Sequence, residues 1–245
     1  MQSVRLLRSD QVGSLLRPPA LLNARAAQQG GRLSEAELSQ LEDAAILKAL
    51  QAQAAAGQQI YVDGEFRRTG FMTGFPDSVE GFVPDAYVPI AWKGGTGTEG
   101  ASPNTQLVVG QRLRPKKRIA KNEADFLKEH APGPFKVTLP SPVNFAVIFW
   151  RKGLSDRAYT SADEFLVDAA GILANEARAL AREGTPYIQI DAPLYTHWAD
   201  ASLQLALSPQ CGFASSGRGN PLTEEQQWRK LELVAAIAEA VWNHS

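Results

Sequence analysis

The sequence predicts an α/β fold, in which a parallel β-sheet carries helices on its faces. Three times along the chain of 245 residues, a helical pattern is followed within a few residues by a short β-rich run. Parallel neighbours need such a crossover between them, and the crossover helix covers one face of the sheet. Two of the runs also end in acidic residues, at the sheet edge where folds of this kind place their sites.

Two helices are predicted first, at residues 24–29 and 34–56. Ser34 and Glu37 form a capping-box pattern at the start of the second helix. Apolar residues recur along this helix at helical spacing and predict its buried face: Leu38, Leu41, Ala45, Leu47 and Leu50.

A strand is predicted at residues 59–63, and Glu65 follows it almost directly. The stretch 66–113 is rich in glycine, proline and aromatic residues, which predicts a long excursion ending in a hairpin. Its glycines match neither the Walker spacing nor a dinucleotide fingerprint, so we do not expect a phosphate loop.

The second helix-to-strand unit is predicted at residues 122–130 and 135–139, and the third at 161–182 and 187–191. Asp191 is the last residue of the third strand. The third helix has a capping pair and a continuous apolar side: Ser161 and Glu164, then Phe165, Leu166, Ala169, Ile172, Leu173, Ala177 and Leu180.

The remaining part of the chain predicts a strand at 203–207 and a final helix at 223–242. Thr223 and Gln226 form a capping pattern at the start of that helix. We expect residues 1–245 to form a single domain.

The composition favours a small-molecule partner. Lys plus Arg (25) nearly balances Asp plus Glu (26), so no net field draws the chain to nucleic acid or to an anionic membrane. The apolar stretches are too short to span a bilayer, and the N-terminus lacks the apolar core of a signal peptide. We therefore expect a cytoplasmic protein.

The single cysteine, Cys211, cannot form an internal disulfide. Without context, a lone cysteine is more often an apolar filler than a ligand or a nucleophile. Its interpretation therefore depends on the residues around it and on the rest of the chain.

Five short strings carry a family resemblance. They are residues 8–17 (RSDQVGSLLR), 62–66 (VDGEF), 138–142 (TLPSP), 188–191 (IQID) and 207–213 (LSPQCGF). In this order, they resemble the catalytic barrel of cobalamin-independent methionine synthase and its single-barrel relatives. The resemblance implies a TIM-barrel (β/α)8 fold and zinc-dependent methyl transfer. The donor would be 5-methyltetrahydrofolate with a polyglutamate tail, and the thiol of homocysteine would become methionine.

The resemblance also implies roles for particular residues. Gly13 and Ser14 would hold the carboxylate of the amino acid, while Glu65 and Asp191 would bind its ammonium group. Cys211 would be a zinc ligand. A bound zinc ion lowers the pKa of a thiol, so that a nucleophile exists at neutral pH.

The chain departs from the family pattern between Asp191 and Cys211. Only about twenty residues lie there, where the family has several further βα units, roughly ninety residues at the usual barrel repeat. This predicts an incomplete barrel with a deletion junction near 198–204. The family's His-x-Cys pair is absent from the sequence, and Cys211 alone cannot hold a catalytic zinc, which takes three protein ligands. His197 and Asp200 are candidate replacements.

Three alternatives follow from this departure. The chain could be a catalytically inactive amino-acid-binding or assembly module, and a second copy could complete the open sheet as a homo-oligomer. A barrel of the uroporphyrinogen decarboxylase type would use Arg67 and Arg68 to bind carboxylates. The favoured interpretation of these arginines is a solvated loop that pairs with Asp77 or Glu80.

Overall fold

The structure, a computed structural model, describes residues 11–85, 106–192, 223–229 and 231–232. Within these ranges the chain is an α/β fold with one parallel and one antiparallel two-stranded sheet. The strands are β1 (Val79–Asp85), β2 (Gln106–Pro115), β3 (Lys136–Pro140) and β4 (Tyr187–Asp191). The helices are α1 (Pro19–Gln29), α2 (Glu35–Ala55), α3 (Gly74–Ser78), α4 (Lys121–His130), α5 (Phe145–Ile148) and α6 (Ala162–Arg182).

Capping side chains place the starts of the two long helices where the sequence predicts them. The Ser34 hydroxyl accepts a hydrogen bond from the Glu37 N–H (3.2 Å), and the Glu37 carboxylate accepts one from the Ser34 N–H (2.8 Å). At α6 the Ser161 hydroxyl accepts from the Glu164 N–H (3.2 Å). The Glu164 carboxylate accepts a hydrogen bond from the N–H of Thr160 (2.7 Å). The reciprocal bond of this capping box therefore spans four residues instead of three.

The parallel sheet is the part of the fold that positions the site. β3 and β4 pair in parallel along their full lengths. The predicted strand at 59–63 is reduced to one parallel bridge, between Tyr61 and Phe135. The Tyr61 N–H donates to the carbonyl of Pro134 (2.9 Å), and its carbonyl accepts from the Lys136 N–H (3.0 Å). The lateral order is therefore the Tyr61 segment, β3, β4, and the described strands form no closed barrel.

β1 and β2 form an antiparallel hairpin on either side of residues 86–105. The hairpin is bound to the rest of the chain by the N–H of Val109, which donates to the Phe149 carbonyl (2.8 Å). The Tyr159 hydroxyl accepts from the N–H of Leu113 (2.8 Å). Aromatic rings fill the space beneath the hairpin, with Phe145 and Phe149 at a centroid distance of 5.1 Å.

The buried face of α2 agrees with the prediction only in part. Leu50 is buried, and Leu38 and Ala45 pack against the core. Leu41 and Leu47, however, are 47% and 39% exposed, and the buried residues of the helix are Glu42, Ile46, Ala49, Leu50 and Gln53. Gln53 can lie inside because its amide accepts from the Val62 N–H (3.0 Å) and donates to the Val62 carbonyl (2.9 Å). A polar side chain that satisfies a buried backbone can replace a leucine there. In α6 the apolar side is buried or packed on the core as predicted.

The last described helical stretch packs beside the beginning of the chain. It starts after Thr223, whose hydroxyl accepts from the N–H three residues further on (3.2 Å), as the capping pattern predicts. The Leu16 N–H donates to the Gln227 side chain (2.5 Å), and the Gln58 amide donates to the Leu231 carbonyl (3.1 Å). Among the described helices, none is long and apolar enough to cross a membrane.

Candidate functional site

A tight turn after the Tyr61 segment aims Glu65 into the protein. Gly64 and Glu65 both have positive φ angles, 70° and 57°. This conformation is unusual for a residue other than glycine and costs about 1–3 kcal/mol unless the surroundings hold it. Asp63 holds it by accepting a hydrogen bond from the Glu65 N–H at 3.0 Å, and Arg17 donates to the Glu65 carbonyl at 3.1 Å. This backbone conformation sets the direction of the Glu65 side chain.

The Glu65 carboxylate is buried and only partly neutralised. The residue is 2% exposed. Its Oε1 accepts a hydrogen bond from the Thr138 hydroxyl (2.9 Å), and the Arg68 Nη1 lies 4.0 Å away. Its Oε2 is buried and has no hydrogen-bond partner among the described residues. Such an acceptor is costly to bury unless a ligand supplies the donor.

Arg68 is a buried structural cation. Its Nε donates to the Glu123 carboxylate (2.7 Å), which it meets with two nitrogens, and it also donates to the Thr138 carbonyl (2.9 Å). The pairing that the sequence favoured, a solvated loop contact with Asp77 or Glu80, is therefore wrong for Arg68. The planar guanidinium suits this two-pronged contact, which fastens the turn to α4 and β3.

Arg67 also differs from the sequence prediction. Its Nη2 pairs with Asp43 on α2 (2.5 Å), and its guanidinium lies over the Phe126 ring, 4.8 Å from the centroid. Arg67 and Arg68 therefore both form ion pairs with carboxylates of this chain.

The acidic groups around Arg68 exceed its charge. Glu123, Glu65 and Asp63 all interact electrostatically with its guanidinium. Burial raises the pKa of the Asp63 and Glu123 carboxyls, and the charge of Arg68 opposes that rise. The Asp63 Oδ2 has no hydrogen-bond partner among the described residues. Arg17 and Arg67 also interact electrostatically with members of this cluster, so its carboxyl groups lie among arginine side chains.

Gly13 packs closely against this cluster. Its φ is 146°, and a Cβ built there would lie 2.8 Å from the Thr138 Cγ2 and 3.4 Å from the Glu65 Oε1. A side chain would therefore occupy the space next to the Glu65 carboxylate. Ser14, the next residue, is buried, and the Leu15 N–H donates to the Gly64 carbonyl (3.1 Å), which joins this loop to the Glu65 turn.

Gly13→Ala is expected to lower the free energy of unfolding by about 1–3 kcal/mol, because the Thr138 or Glu65 side chain must move to admit the new methyl group. Gly153→Ala is the matched control: its φ is 89°, but nothing lies within 4 Å of its built Cβ. Urea unfolding of both variants checks the difference. Equal losses would show that backbone strain, and not the contact with Thr138, explains the glycine.

Asp191 is the second acidic group that the structure brings to this region. It ends β4, and its Oδ1 accepts a hydrogen bond from the Gln189 amide (2.5 Å). Its backbone carbonyl accepts from the Ser141 N–H (2.8 Å). Burial raises the pKa of the Asp191 carboxyl to about 6, and the charge of Glu65 adds to the rise against the opposing effect of the Gln189 hydrogen bond.

Asp191→Asn is expected to stabilise the protein at pH 7 by about 2 kcal/mol. A carboxyl whose pKa is higher in the folded state costs stability once it ionises. The cost accrues as the pH rises from about 4, its unfolded range, to about 6, and it is absent below that window. Urea unfolding at pH 3.5 and pH 7 measures the difference, and a variant that is no more stable at pH 7 than at pH 3.5, relative to the original chain, would contradict it.

The predicted site residues are brought together in part. The structure places Gly13, Ser14, Glu65 and Asp191 around the ends of the Tyr61 segment, β3 and β4, while Cys211 lies outside the described residues. Within the described ranges, no three His, Cys, Asp or Glu side chains converge as a metal site. Sequence reasoning missed Thr138 and Gln189, although both lie inside the strings that resemble the family.

The geometry can bind a cation. The buried Glu65 carboxylate has a vacant acceptor, and the half-buried Asp191 carboxyl, which interacts with it electrostatically, has a raised pKa; an ammonium group can donate hydrogen bonds to such groups. Fold and site together define an α/β protein with acidic side chains at the carboxyl ends of its parallel strands.

Comparison with known proteins identifies the family. Residues 8–206 match the family model described as the catalytic domain of cobalamin-independent synthase. The chain belongs to the cobalamin-independent methionine synthase family. The match ends before Cys211.

Individual relatives agree with this assignment. YxjH of Bacillus subtilis, an uncharacterized protein, is 29% identical over 189 residues, which cover 75% of this chain and 47% of the relative. A 5-methyltetrahydropteroyltriglutamate–homocysteine methyltransferase of Synechococcus sp. is 26% identical, covering 82% of this chain and 27% of the relative. This chain therefore spans about half or less of the length of these two proteins.

A solved structure supports the fold. The B12-independent methionine synthase of Shewanella sp. W3-18-1, in complex with selenomethionine, superimposes with a TM-score of 0.59. It is 24% identical, and the alignment covers 78% of this chain and 53% of that one. The likeness is one of α/β architecture.

Proposed function

We propose that this chain binds the amino acid homocysteine as the acceptor of a methyl group, and that it is a homocysteine methyltransferase of the methionine biosynthesis type. The donor is 5-methyltetrahydrofolate, with its polyglutamate tail, or a related molecule. Family membership supports the reaction class, and the name of the Synechococcus relative supports both substrates.

The single observation that carries the proposal is the vacant acceptor of Glu65 beside Gly13. Its buried Oε2 has no partner among the described residues, and the Gly13 backbone lies close to its other oxygen, since a Cβ at position 13 would be 3.4 Å from Oε1. An ammonium group can donate to this oxygen, and the Asp191 carboxylate supplies the second negative charge. We assign both residues to ammonium binding.

Gly13 and Ser14 are proposed to hold the carboxylate of the amino acid. Because Gly13 has no Cβ, a ligand can approach its backbone closely, and Ser14 adds a hydroxyl at a buried position. In the proposed orientation the ligand's ammonium group points toward the vacant oxygen of Glu65. Thr138 and Arg68 keep the Glu65 carboxylate in place for that contact.

Zinc is proposed as the cofactor on the basis of the family and of Cys211. The described residues do not provide a complete ligand set. A thiolate such as that of Cys211 suits zinc, and zinc bound next to the substrate would keep the homocysteine thiol ionised. We assign no other ligand.

The remaining proposals concern the whole molecule. They are a single domain over residues 1–245 with a hairpin excursion at 66–113, a (β/α)8 barrel shortened at a junction near 198–204, and a cytoplasmic location. The shortened barrel would expose a sheet edge, which a second copy could cover in a homo-oligomer. Size-exclusion chromatography with light scattering tests that last proposal.

The second candidate function is a catalytically inactive amino-acid-binding or assembly module. The observation that favours it is that Glu65 and Asp191, the residues assigned to the ammonium group, interact in the fold, while the His-x-Cys pair of the family's zinc site is absent from the sequence. A barrel of the uroporphyrinogen decarboxylase type is less well supported, because Arg67 and Arg68 already pair with Asp43 and Glu123.

One experiment separates these functions. Calorimetry with L-methionine and L-homocysteine is expected to detect binding, while N-acetyl-L-methionine, which lacks the cationic ammonium group, is expected not to bind. Methyl transfer is then measured with 5-methyltetrahydrofolate and added zinc, and bound zinc is measured by metal analysis. Binding with neither turnover nor zinc supports the inactive module, and failure of both amino acids to bind rejects the proposed site.

A further inference from the structure

Lys136 on β3 lies beneath the proposed ammonium site, although no sequence motif pointed to it. The residue is 1% exposed. Its ammonium group donates to the Gln11 carbonyl and, at 2.7 Å, to the Gln189 Oε1, and it lies 5.4 Å from the centre of the Tyr187 ring. A buried lysine is costly, so these contacts need a reason.

The contact with Gln189 determines which way its amide faces. An ammonium group can only donate, so the Gln189 oxygen must face Lys136. The amide nitrogen then faces the opposite way and donates to the Val12 carbonyl (2.6 Å) and to the Asp191 carboxylate (2.5 Å). Both of these groups accept hydrogen bonds, so the reversed amide would oppose donor to donor and acceptor to acceptor.

The same lysine also holds the loop that contains Gly13. It donates to the carbonyl of Gln11, and Gln189 donates to the carbonyl of Val12, so the two residues before Gly13 are both bound through their backbone oxygens. The loop that contains Gly13 and the Asp191 carboxylate are therefore linked through Lys136 and Gln189.

We propose that Lys136 is a positioning residue for amino-acid binding: through the Gln189 amide it orients the Asp191 carboxylate, and through that amide and the Gln11 carbonyl it holds the Gly13 loop. This inference rests on the proposed function, because it concerns the same ammonium site.

The charges around Asp191 give the proposal a specific signature. Glu65 and Arg68 face Asp191 from the turn after the Tyr61 segment, and Lys136 faces it from β3. The charge of Lys136 lowers the pKa of Asp191, as does the hydrogen bond from Gln189, against the larger effect of burial. Removal of Lys136 therefore raises this pKa further above about 6.

Lys136→Met tests the proposal, because methionine keeps a similar length without charge or donors. L-Methionine binding is measured by calorimetry between pH 5 and pH 8. We expect affinity at pH 7.5 to fall at least roughly tenfold, the value of a lost charge-assisted hydrogen bond, and the acidic midpoint of binding to move to higher pH. Lys128→Met, at an exposed lysine whose ammonium donates to the Glu183 carbonyl (3.0 Å), is the matched control and is expected to change neither.

Gln189→Leu and the double variant test the route of the effect. If Lys136 acts in part through the amide, the double variant loses less affinity than the sum of the two single losses, because only the bond to the Gln11 carbonyl is independent of Gln189. Fully additive losses would overturn the route. An unchanged acidic midpoint in Lys136→Met would overturn the proposal, even if thermal stability falls. A raised midpoint together with losses that are less than additive supports it, because the charge of Lys136 alone also lowers the pKa of Asp191.

A ligand-free measurement separates this proposal from the proposed function. Carbon-13 NMR of the aspartate carboxyls, assigned with Asp191→Asn, gives the Asp191 titration directly. A higher midpoint in Lys136→Met than in the original chain supports the positioning role, and an unchanged midpoint overturns it, whether or not methionine binds. Absence of methionine binding to the original chain counts against the proposed function alone.

Discussion

Arg68→Met is expected to lower the free energy of unfolding by about 3–5 kcal/mol at pH 7, the cost of removing one partner from a buried ion pair. The guanidinium is almost fully buried and serves Glu123, Glu65 and the Thr138 carbonyl at once. Its loss leaves two buried carboxylates without this cation and removes one of the contacts between the Glu65 turn and β3, while the Thr138 hydrogen bond remains. Urea unfolding followed by circular dichroism measures the change.

Arg67→Met is the matched control, one residue away on the same turn. Arg67 is 16% exposed at its side chain and pairs with the half-exposed Asp43, so the expected loss is about 1 kcal/mol or less. The Arg68 effect should also shrink in acid, because burial raises the pKa of Asp63 and Glu123 and both become neutral early as the pH falls. Similar losses for the two arginines would contradict the buried cluster.

Glu65→Gln is expected to weaken L-methionine binding by about a hundredfold, because it removes one of two charges that face the ligand's ammonium group. Glutamine has the same shape and can still accept the Thr138 hydrogen bond. Stability should therefore hold or rise, since a buried carboxylate with one vacant oxygen is replaced by a neutral group. Calorimetry at pH 7.5 gives the affinity, and urea unfolding gives the stability.

Glu129→Gln is the control for Glu65→Gln. The Glu129 side chain is 76% exposed on α4, and its loss should alter neither affinity nor stability appreciably. Unchanged methionine affinity in Glu65→Gln, with binding intact in the original chain, would show that the ammonium group binds elsewhere.

The proposed site was partly predictable from the sequence, and the reason is positional. Acidic residues that follow predicted strands were expected to meet at one edge of a parallel sheet, and Glu65 and Asp191 do interact there. The partners were not predictable, because Thr138, Arg68 and Gln189 are ordinary polar residues whose roles depend on which side chains the sheet register brings opposite them. For Arg68, proximity along the chain pointed to Asp77 or Glu80, while packing selected Glu123 on α4.

The sequence by itself determined the features that are local. Capping side chains placed the starts of α2, α6 and the last helix, and apolar periodicity predicted the buried side of α6, since both depend on residues three or four positions apart. Four of the five strings that resemble the family lie within the matched residues 8–206, and each of them is short and contiguous.

Only the tertiary structure decided the rest. The packing of α2 buries Glu42 and Gln53, because Arg25 donates a hydrogen bond to Glu42 and the Val62 backbone exchanges two with Gln53. The tertiary structure also reduced the predicted strand at 59–63 to one bridge and gave Glu65 a strained conformation that Asp63 stabilises. These outcomes depend on hydrogen bonds between residues that the fold must first bring together, and such bonds leave no periodic trace in the sequence.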